Sequence, residues 1–419
     1  MKFKGVKLSA LLLAAVFLLF FSNDFGLIDI EKTAIITAVA IDLEENGEYK
    51  ITAQIAVPEA TDTNTENLRA QIAGKGSTVG AAIKNIGDTS GWFPQLCFCN
   101  LIIVGKGFSD YNIIKVLDYF SKTLRIQDSA LIVMAETDGA ELLKLSTPLD
   151  NISSFALQKI LLKNAGLNRD VAVCDVKSFC TGYYSEAGSA YMPLIKVVSQ
   201  KSENEKASAD DANGSESSGG SGSAEISGGG SSGGSGSGGE SGGAKGDAIF
   251  NADTTALFLH GKKVGELDAN LTLAFNALTR DFATSTFEVK DVNTGGETLN
   301  YLLTVFSCTA SRSLTVSDNG IRLNVSLDAY VKISDMNGQA SDLEYIKNLP
   351  LPVNVKERAE ADFTERITDL IRTEKETGCD FLDVKKELYR KHHSYYYVYK
   401  DNFIENMSYS VSVNFSGQK

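Results

Sequence analysis

Ile321-Arg322-Leu323-Asn324-Val325-Ser326-Leu327-Asp328-Ala329-Tyr330-Val331-Lys332-Ile333 is the stretch on which the fold turns. Its odd-numbered residues are all apolar, and its even-numbered ones are polar or Tyr. Successive side chains of a strand point to opposite faces, so this alternation describes one long strand with a core face and a solvent face. Working outward, Phe287–Lys290, Tyr301–Cys308 and Ser313–Val316 read as strands before it. Thr254–Leu259 and Val264–Leu267 read as a strand pair around the turn His260-Gly261-Lys262-Lys263. After it, Val355–Thr373 is an amphipathic helix with Ala359, Phe363, Ile367, Leu370 and Ile371 inward. A shorter helix over Phe381–Arg390 and an alternating strand over Met407–Phe415 follow. This half is expected to be a curved antiparallel sheet with helices on one face, an α+β arrangement.

The first half opens on a hairpin. Thr33–Asp42 is apolar and β-branched, Glu45-Asn46-Gly47-Glu48 is the turn, and Ile51, Ala53, Ile55 and Val57 alternate until Pro58. Glu59–Glu66 is a polar loop. Ser77 or Thr78 caps a helix that turns Val79, Ala82, Ile83 and Ile86 inward. Leu101–Val104, ending at Gly105, and Leu131–Ala135 are buried strands. Asp110–Lys122, Gly139–Leu145 and Ser153–Lys163 are helices, and Val176–Phe179 and Tyr191–Val197 close the domain. Strands and helices alternate throughout, the pattern of a mixed α/β-type layer. The fold class expected for the whole chain is therefore α+β, with mixed and antiparallel sheets, packed helices and more than one domain.

Between the halves, residues 211–246 hold 15 Gly and 11 Ser. Such a stretch cannot offset the entropy of ordering, and reads as a flexible tether or surface insertion. The domain division expected is 1–24 signal or anchor, 27–199 N-terminal domain, 200–247 disordered linker and 248–417 C-terminal domain. The formal charge of −13 comes from 40 basic and 53 acidic side chains. Nearly half of it falls in residues 203–247, and a net acidic chain argues against unaided nucleic-acid binding. At the N-terminus, Lys2, Lys4 and Lys7 precede an apolar run from Leu8 to Phe21 broken only by Ser9. A basic start and an apolar run of this length are an export signal; the run is short for a full bilayer span, yet no small-x-small cleavage site follows it, so it reads as a signal or as an uncleaved anchor. The positive-inside bias places the rest of the chain on the extracytoplasmic side.

The residues that could carry catalysis do not form a site in the sequence. His260, His392 and His393 read as loop or solvated histidines, because no Gly-x-Ser-x-Gly elbow accompanies them. Gly74-Lys75-Gly76-Ser77 imitates a phosphate loop but lacks its first Gly and the Ser or Thr directly after Lys. Cys97 and Cys99 read as inert thiols on a strand, since no second Cys or His cluster completes a metal site, and Cys308 and Cys379 show no pattern. Cys174 and Cys180 are near enough in sequence to bridge in an exported chain, and either state fits. Glu357, Glu360, Asp362 and Glu365 mix with Lys356, Arg358 and Arg366 as a solvated helix face. Tyr395-Tyr396-Tyr397, with Tyr399 and Phe403, is an unusual aromatic cluster. It suits a partner-contact or membrane-interface patch, or a strand or loop packed on the C-terminal sheet. No catalytic, cofactor-binding or metal-ligating residue is expected, and no enzymatic activity.

Several segments resemble, in order, those of the spore germination receptor C-subunit family, the Ger(x)C proteins. Glu31–Asp42 and Tyr49–Pro58 resemble the family's opening strands, and Gly76-Ser77-Thr78 with Ala82-Ile83-Lys84-Asn85 its helix entry. Leu101–Gly105, Val116–Phe120 and Tyr191-Met192-Pro193-Leu194-Ile195 resemble its next strand, its aromatic-rich helix and its Leu-Pro-x-Ile segment. Ala256–Leu267 resembles its strand-turn-strand, and Asp380-Phe381-Leu382 with Lys385, Lys386, Arg390 and Lys391 resembles its late helix. The family's members typically carry a lipoprotein Cys at the anchor, where this chain has Ser22 nearby. Asn100 stands at a position of the family's His, and the glycines that usually follow the Asp-Phe-Leu segment are missing. The resemblance implies a non-enzymatic subunit at the extracytoplasmic face of the spore inner membrane. It implies assembly with two membrane partners, a germinant-sensing subunit and a transporter-like subunit, and no cofactor. An extracytoplasmic ligand-binding or envelope-interaction protein reusing the fold is the alternative.

Overall fold

The computed structural model describes residues 33–56, 69–122, 126–199, 248–280, 284–337 and 351–417, apart from 146, 149, 151, 167–169 and 295, together with 12–14 and 16–17. The expected anchor thus lies outside the described residues except for those five positions, which are helical. Among the described residues no helix is long and apolar enough to cross a membrane. The Glu59–Glu66 loop and Pro58 also lie outside them.

The expected hairpin forms from β1 (Thr33–Leu43) and β2 (Tyr49–Ala56), with Leu43 opposite Tyr49 and Gly47 in the left-handed region at φ 82°. A bulge between Ile36 and Ala38 shifts the alternation, so Ala34 and Ile36 share one face with Val39 and Ile41. Ala38 and Ala40 go to the other face. A third strand, β3 (Arg69–Gly76), pairs with β2, and α1 (Val79–Ser90) follows. Of the two candidate caps, Thr78 is the one used: its side chain accepts from the Ala81 N–H. The chain continues through β4 (Phe93–Gln95), β5 (Leu101–Val104), α2 (Ile114–Lys122) and β6 (Leu131–Ala135). Then come α3 (Gly139–Lys144), α4 (Ser153–Gly166), α5 (Val176–Tyr183) and β7 (Ser189–Ser199). The helix expected from Asp110 begins at Ile114, because the Asn112 side chain takes the Ile114 N–H.

β8 (Ala248–Leu259) and β9 (Lys262–Leu267), which sequence reading assigned to the C-terminal body, complete this first sheet. Its order is β3-β2-β1-β5-β6-β7-β8-β9, with β4 also on β1. β1, β5, β6 and β7 run parallel in the centre, and the outer strands are antiparallel. One face packs on α1, α2 and α5 and the other on α3 and α4, which is why the central strands are apolar on both sides.

The register of β7 with β8 revises the role of residues 200–247. Ser199 is the Cα partner of Ala248, so both ends of the Gly/Ser stretch sit on neighbouring strands of one sheet. The stretch connects a β-hairpin and is an insertion; it does not join two bodies that could drift apart. Loop-closure entropy grows only with the logarithm of length, so cutting residues 200–247 to about ten should add about 1 kcal/mol of stability. The shortened chain should keep its fold, measured by urea unfolding. A lower midpoint would show that the insertion contributes to the fold.

The second sheet follows α6 (Ala269–Thr279), a helix with no counterpart in the sequence reading. It comprises β10 (Thr286–Thr294), β11 (Glu297–Ser317), β12 (Gly320–Met336) and β13 (Met407–Ser416). The two strands expected at Tyr301–Cys308 and Ser313–Val316 are one strand, β11, which forms a long hairpin with β12 around Asp318-Asn319. After β12 come α7 (Val353–Thr377), α8 (Val384–Lys391) and α9 (His393–Tyr399). All five residues expected inward on the long helix are buried. β13 runs parallel to β12, with Ile321 opposite Met407, so the sheet is mixed and not wholly antiparallel. The cause is the crossover: α7 carries the chain back along β12, so the next strand enters at the same end. One core joins α6, α7, α8 and the second sheet to Leu257 and Leu267 of the first. The two sheets therefore share buried residues.

Candidate functional site

Two features stand out: a buried acidic junction between the sheets and an exposed aromatic face on α8 and α9. The junction begins where α7 ends at Gly378, whose φ of 68° suits a left-handed cap. The chain then dives inward. The Cys379 thiol donates to the Phe258 carbonyl of β8 at 3.3 Å, and the Asp380 N–H donates to Ser189 Oγ of β7 at 2.9 Å. The Asp380 carboxylate accepts from the N–H groups of Val384 at 2.6 Å and Lys385 at 2.8 Å, capping α8. That is why the helix expected from Phe381 starts three residues later. Glu374 of α7 accepts from the Leu382 N–H at 3.2 Å, and Arg312 of β11 donates to the Leu382 carbonyl.

Glu374 is fully buried and Asp380 is 4% exposed. Burial pushes the Glu374 carboxyl well above its ordinary range, and the neighbouring Asp380 pushes it further. Burial raises Asp380 as well, offset by the Lys385 N–H and by its hydrogen bond with Glu374. Of the two, Glu374 is the one held further above its ordinary range, and its Oε2 meets no donor, which leaves that oxygen the place for a proton. Paired carboxyls of this kind serve catalysis when they face a cleft. This pair is sealed from solvent, and its position fits a lock between the sheets.

The tyrosine cluster lies on a helix, not on the strand or loop considered above. Tyr396 and Tyr399 face inward, where Tyr396 donates to Glu186 at 2.7 Å and Tyr399 donates to the Ser317 carbonyl at 2.8 Å. Phe403 is buried too. Tyr389, Tyr397 and Val398 are exposed.

The other candidates scatter. His260 stands in the β8–β9 turn at φ 50°, whereas His392 precedes α9 and His393 opens it, so the three do not come from one element. All six cysteines, Cys174 and Cys180 included, are free thiols. Burial pushes Cys99 and Cys379 up to about 12 and raises Cys174 and Cys180, so none of these four is a ready nucleophile. Cys97 and Cys99 lie in the turn after β4 rather than on a strand. Among the described residues no group of His, Cys, Asp and Glu is placed to hold a metal ion. Gly74-Lys75-Gly76 lies within β3.

The four helix carboxylates divide. Glu357 and Glu365 are solvated, whereas Glu360 accepts from the Phe415 N–H at 2.8 Å and ties α7 to β13. Asp362 lies between Arg358 and Arg366 in a cleft of about 590 Å³ that Asp170 and Asp253 also line. Burial raises the Asp170 carboxyl there, and Asp253 adds to it.

Two family models match the chain. The N-terminal domain of spore germination proteins covers residues 27–197, and the C-terminal domain described as spore germination B3/GerAC like covers residues 253–416. A crystal structure of the GerBC protein aligns with 93% of this chain and 100% of its own, at 13% identity and a TM-score of 0.49. No curated protein sequence matches. The two domain matches take in both sheets, the junction and the aromatic face, in order and over most of the length: the chain belongs to the GerAC-like spore germination proteins, the family of germinant receptor C subunits.

Proposed function

We propose that this protein is a non-enzymatic, membrane-anchored subunit of a nutrient-germinant receptor, held on the extracytoplasmic face of the spore inner membrane. It assembles with a germinant-sensing and a transporter-like membrane subunit, and the assembly triggers germination. The observation that carries the reading is the pair of family domains, matched consecutively over residues 27–197 and 253–416. The basic start and apolar run at Leu8–Phe21 support attachment by an uncleaved helix in a chain without the lipoprotein Cys. The Glu374–Asp380 pair and the thiols of Cys99, Cys174 and Cys379 are buried out of reach of a substrate, which supports a binding role for the exposed faces.

Deleting the gene should leave spores unresponsive to at least one nutrient, with the response restored by the intact gene in trans. Spores of the deletion strain that answer every nutrient tried at the parental rate would overturn the proposal. Reading frames for two multi-span membrane proteins are expected beside the gene.

A further inference from the structure

Residues 384–400 form a basic island on an acidic protein. Lys385, Lys386, Arg390, Lys391 and Lys400 stand against Glu387 within it and Asp383 and Asp401 at its ends, in a chain of formal charge −13. Lys386 is paired to Asp383 at 3.4 Å and Lys391 to Glu387 at 2.9 Å. The island surrounds a row of rings. Tyr389 and His393 lie 5.3 Å apart between centroids, and His393 and Tyr397 5.4 Å apart. Tyr397 is 65% exposed and the neighbouring Val398 63%, so the row faces solvent. The Lys400 ammonium lies 6.0 Å from the Tyr397 ring, which places charge at the end of the row.

We propose that this face of α8 and α9 docks on the headgroups of an anionic lipid leaflet. The proposal rests on the membrane-anchored reading above and adds a second contact to it. Tyrosine and histidine rings have an apolar body and a polar tip, which suits the depth of the headgroups. Lysines attract anionic lipid, and they are depleted from protein–protein interfaces, so a lysine-rimmed aromatic row fits a lipid surface better than a protein partner. The chain's layout brings the two together. Only residues 22–32 separate the apolar run from β1, and such a segment spans at most about 40 Å. An anchored body therefore meets the leaflet at high effective concentration.

The test places the full chain in nanodiscs of phosphatidylcholine, with or without phosphatidylglycerol, and reads lysine acylation by mass spectrometry. Lys386 and Lys391, 55% and 63% exposed, should be acylated at least threefold more slowly with phosphatidylglycerol. One molar salt should restore the rate, because screening then falls within a few ångströms. Lys84 of α1, 75% exposed, should not respond to the lipid. A double variant, Arg390→Glu with Tyr397→Ser, changes two exposed residues and should remove the protection while the circular dichroism stays that of the parent. Equal rates on the two lipids overturn the proposal. So does protection that appears only when membrane protein subunits are added, which would make the face a protein interface. If the chain fails to enter nanodiscs, the anchor reading fails, and sedimentation with phosphatidylglycerol vesicles then tests the face alone. Binding lost in the double variant supports it, and no binding overturns it.

Discussion

Phe363→Ala is expected to lower the unfolding free energy by about 3–5 kcal/mol, the range for removing a fully buried Phe. Phe363 is 0% exposed on α7, with its ring centroid 4.7 Å from Phe287 of β10 and 5.4 Å from Phe415 of β13. Those two strands are the opposite edges of the second sheet, yet their rings are 5.6 Å apart. A flat four-stranded sheet would hold its edges about 14 Å apart at the usual strand spacing. The sheet is therefore coiled around α7, and Phe363 fills the space where its edges converge. Truncation opens a cavity that neither edge can collapse into without uncoiling the β11–β12 hairpin. Urea unfolding should show a lower midpoint with an unchanged slope. Phe306→Ala, at a site 51% exposed, should cost under about 1 kcal/mol. Similar losses for both variants would mean that the sheet is not wrapped around the helix.

Periodicity worked where one face is core and the other is water. β12 alternates as read, and α7 buries all five residues expected inward, because each has a solvent side that forces polar residues between the apolar ones. It failed where burial is all round. Seven of the residues of α6 are buried, Thr272 and Asn276 among them, so no polar stripe marks the helix. β3 was hidden by its glycines. A Cβ on Gly74 would lie 2.2 Å from the Ala82 carbonyl oxygen, and one on Gly76 2.7 Å from the Ala82 nitrogen. Those glycines let α1 pack directly onto the strand, a use that imitates the spacing of a phosphate loop. The Gly/Ser stretch was legible as an insertion or tether, but choosing between them needed the pairing of Ser199 with Ala248, a contact that composition does not encode.

The candidate site divided in the same way. The tyrosine cluster was visible as a run of one residue type, although helix and strand could not be separated over so few residues. The junction was not visible at all. Glu374 sits in Glu374-Lys375-Glu376, which reads as one more solvated turn, and Asp380 lies beyond the helix end. Only the turn at Gly378 brings the two carboxyls together under β7 and β8.

Glu374→Gln should make the protein less sensitive to alkali, and the sign follows from the raised carboxyl. In the unfolded chain Glu374 releases its proton near the ordinary value of 4.5, whereas the folded protein retains it to a much higher pH. Its stabilising contribution is complete below 4.5 and drains as pH rises, until it is lost as pH passes through the folded value. Across that window one retained proton costs about 1.4 kcal/mol of stability per pH unit. Asp380, also raised, acts in the same direction. Glutamine keeps an oxygen for the Leu382 N–H and supplies a permanent donor to Asp380, without a proton to lose. The variant should therefore gain on the parent in urea unfolding as pH rises above about 4.5, until the folded value of Glu374 is passed. Asp380→Ala should instead cost about 3 kcal/mol, because the N–H groups of Val384 and Lys385 lose their acceptor. Parallel pH profiles for the parent and Glu374→Gln would show that Glu374 is already ionised in the fold. The junction would then hold two buried carboxylates, with Arg312 as the nearby cation. If the profiles diverge as expected, the first effect of alkali is local: ionised Glu374 repels Asp380, and the segment clamped between Ser189 and Val384 loosens where the two sheets meet.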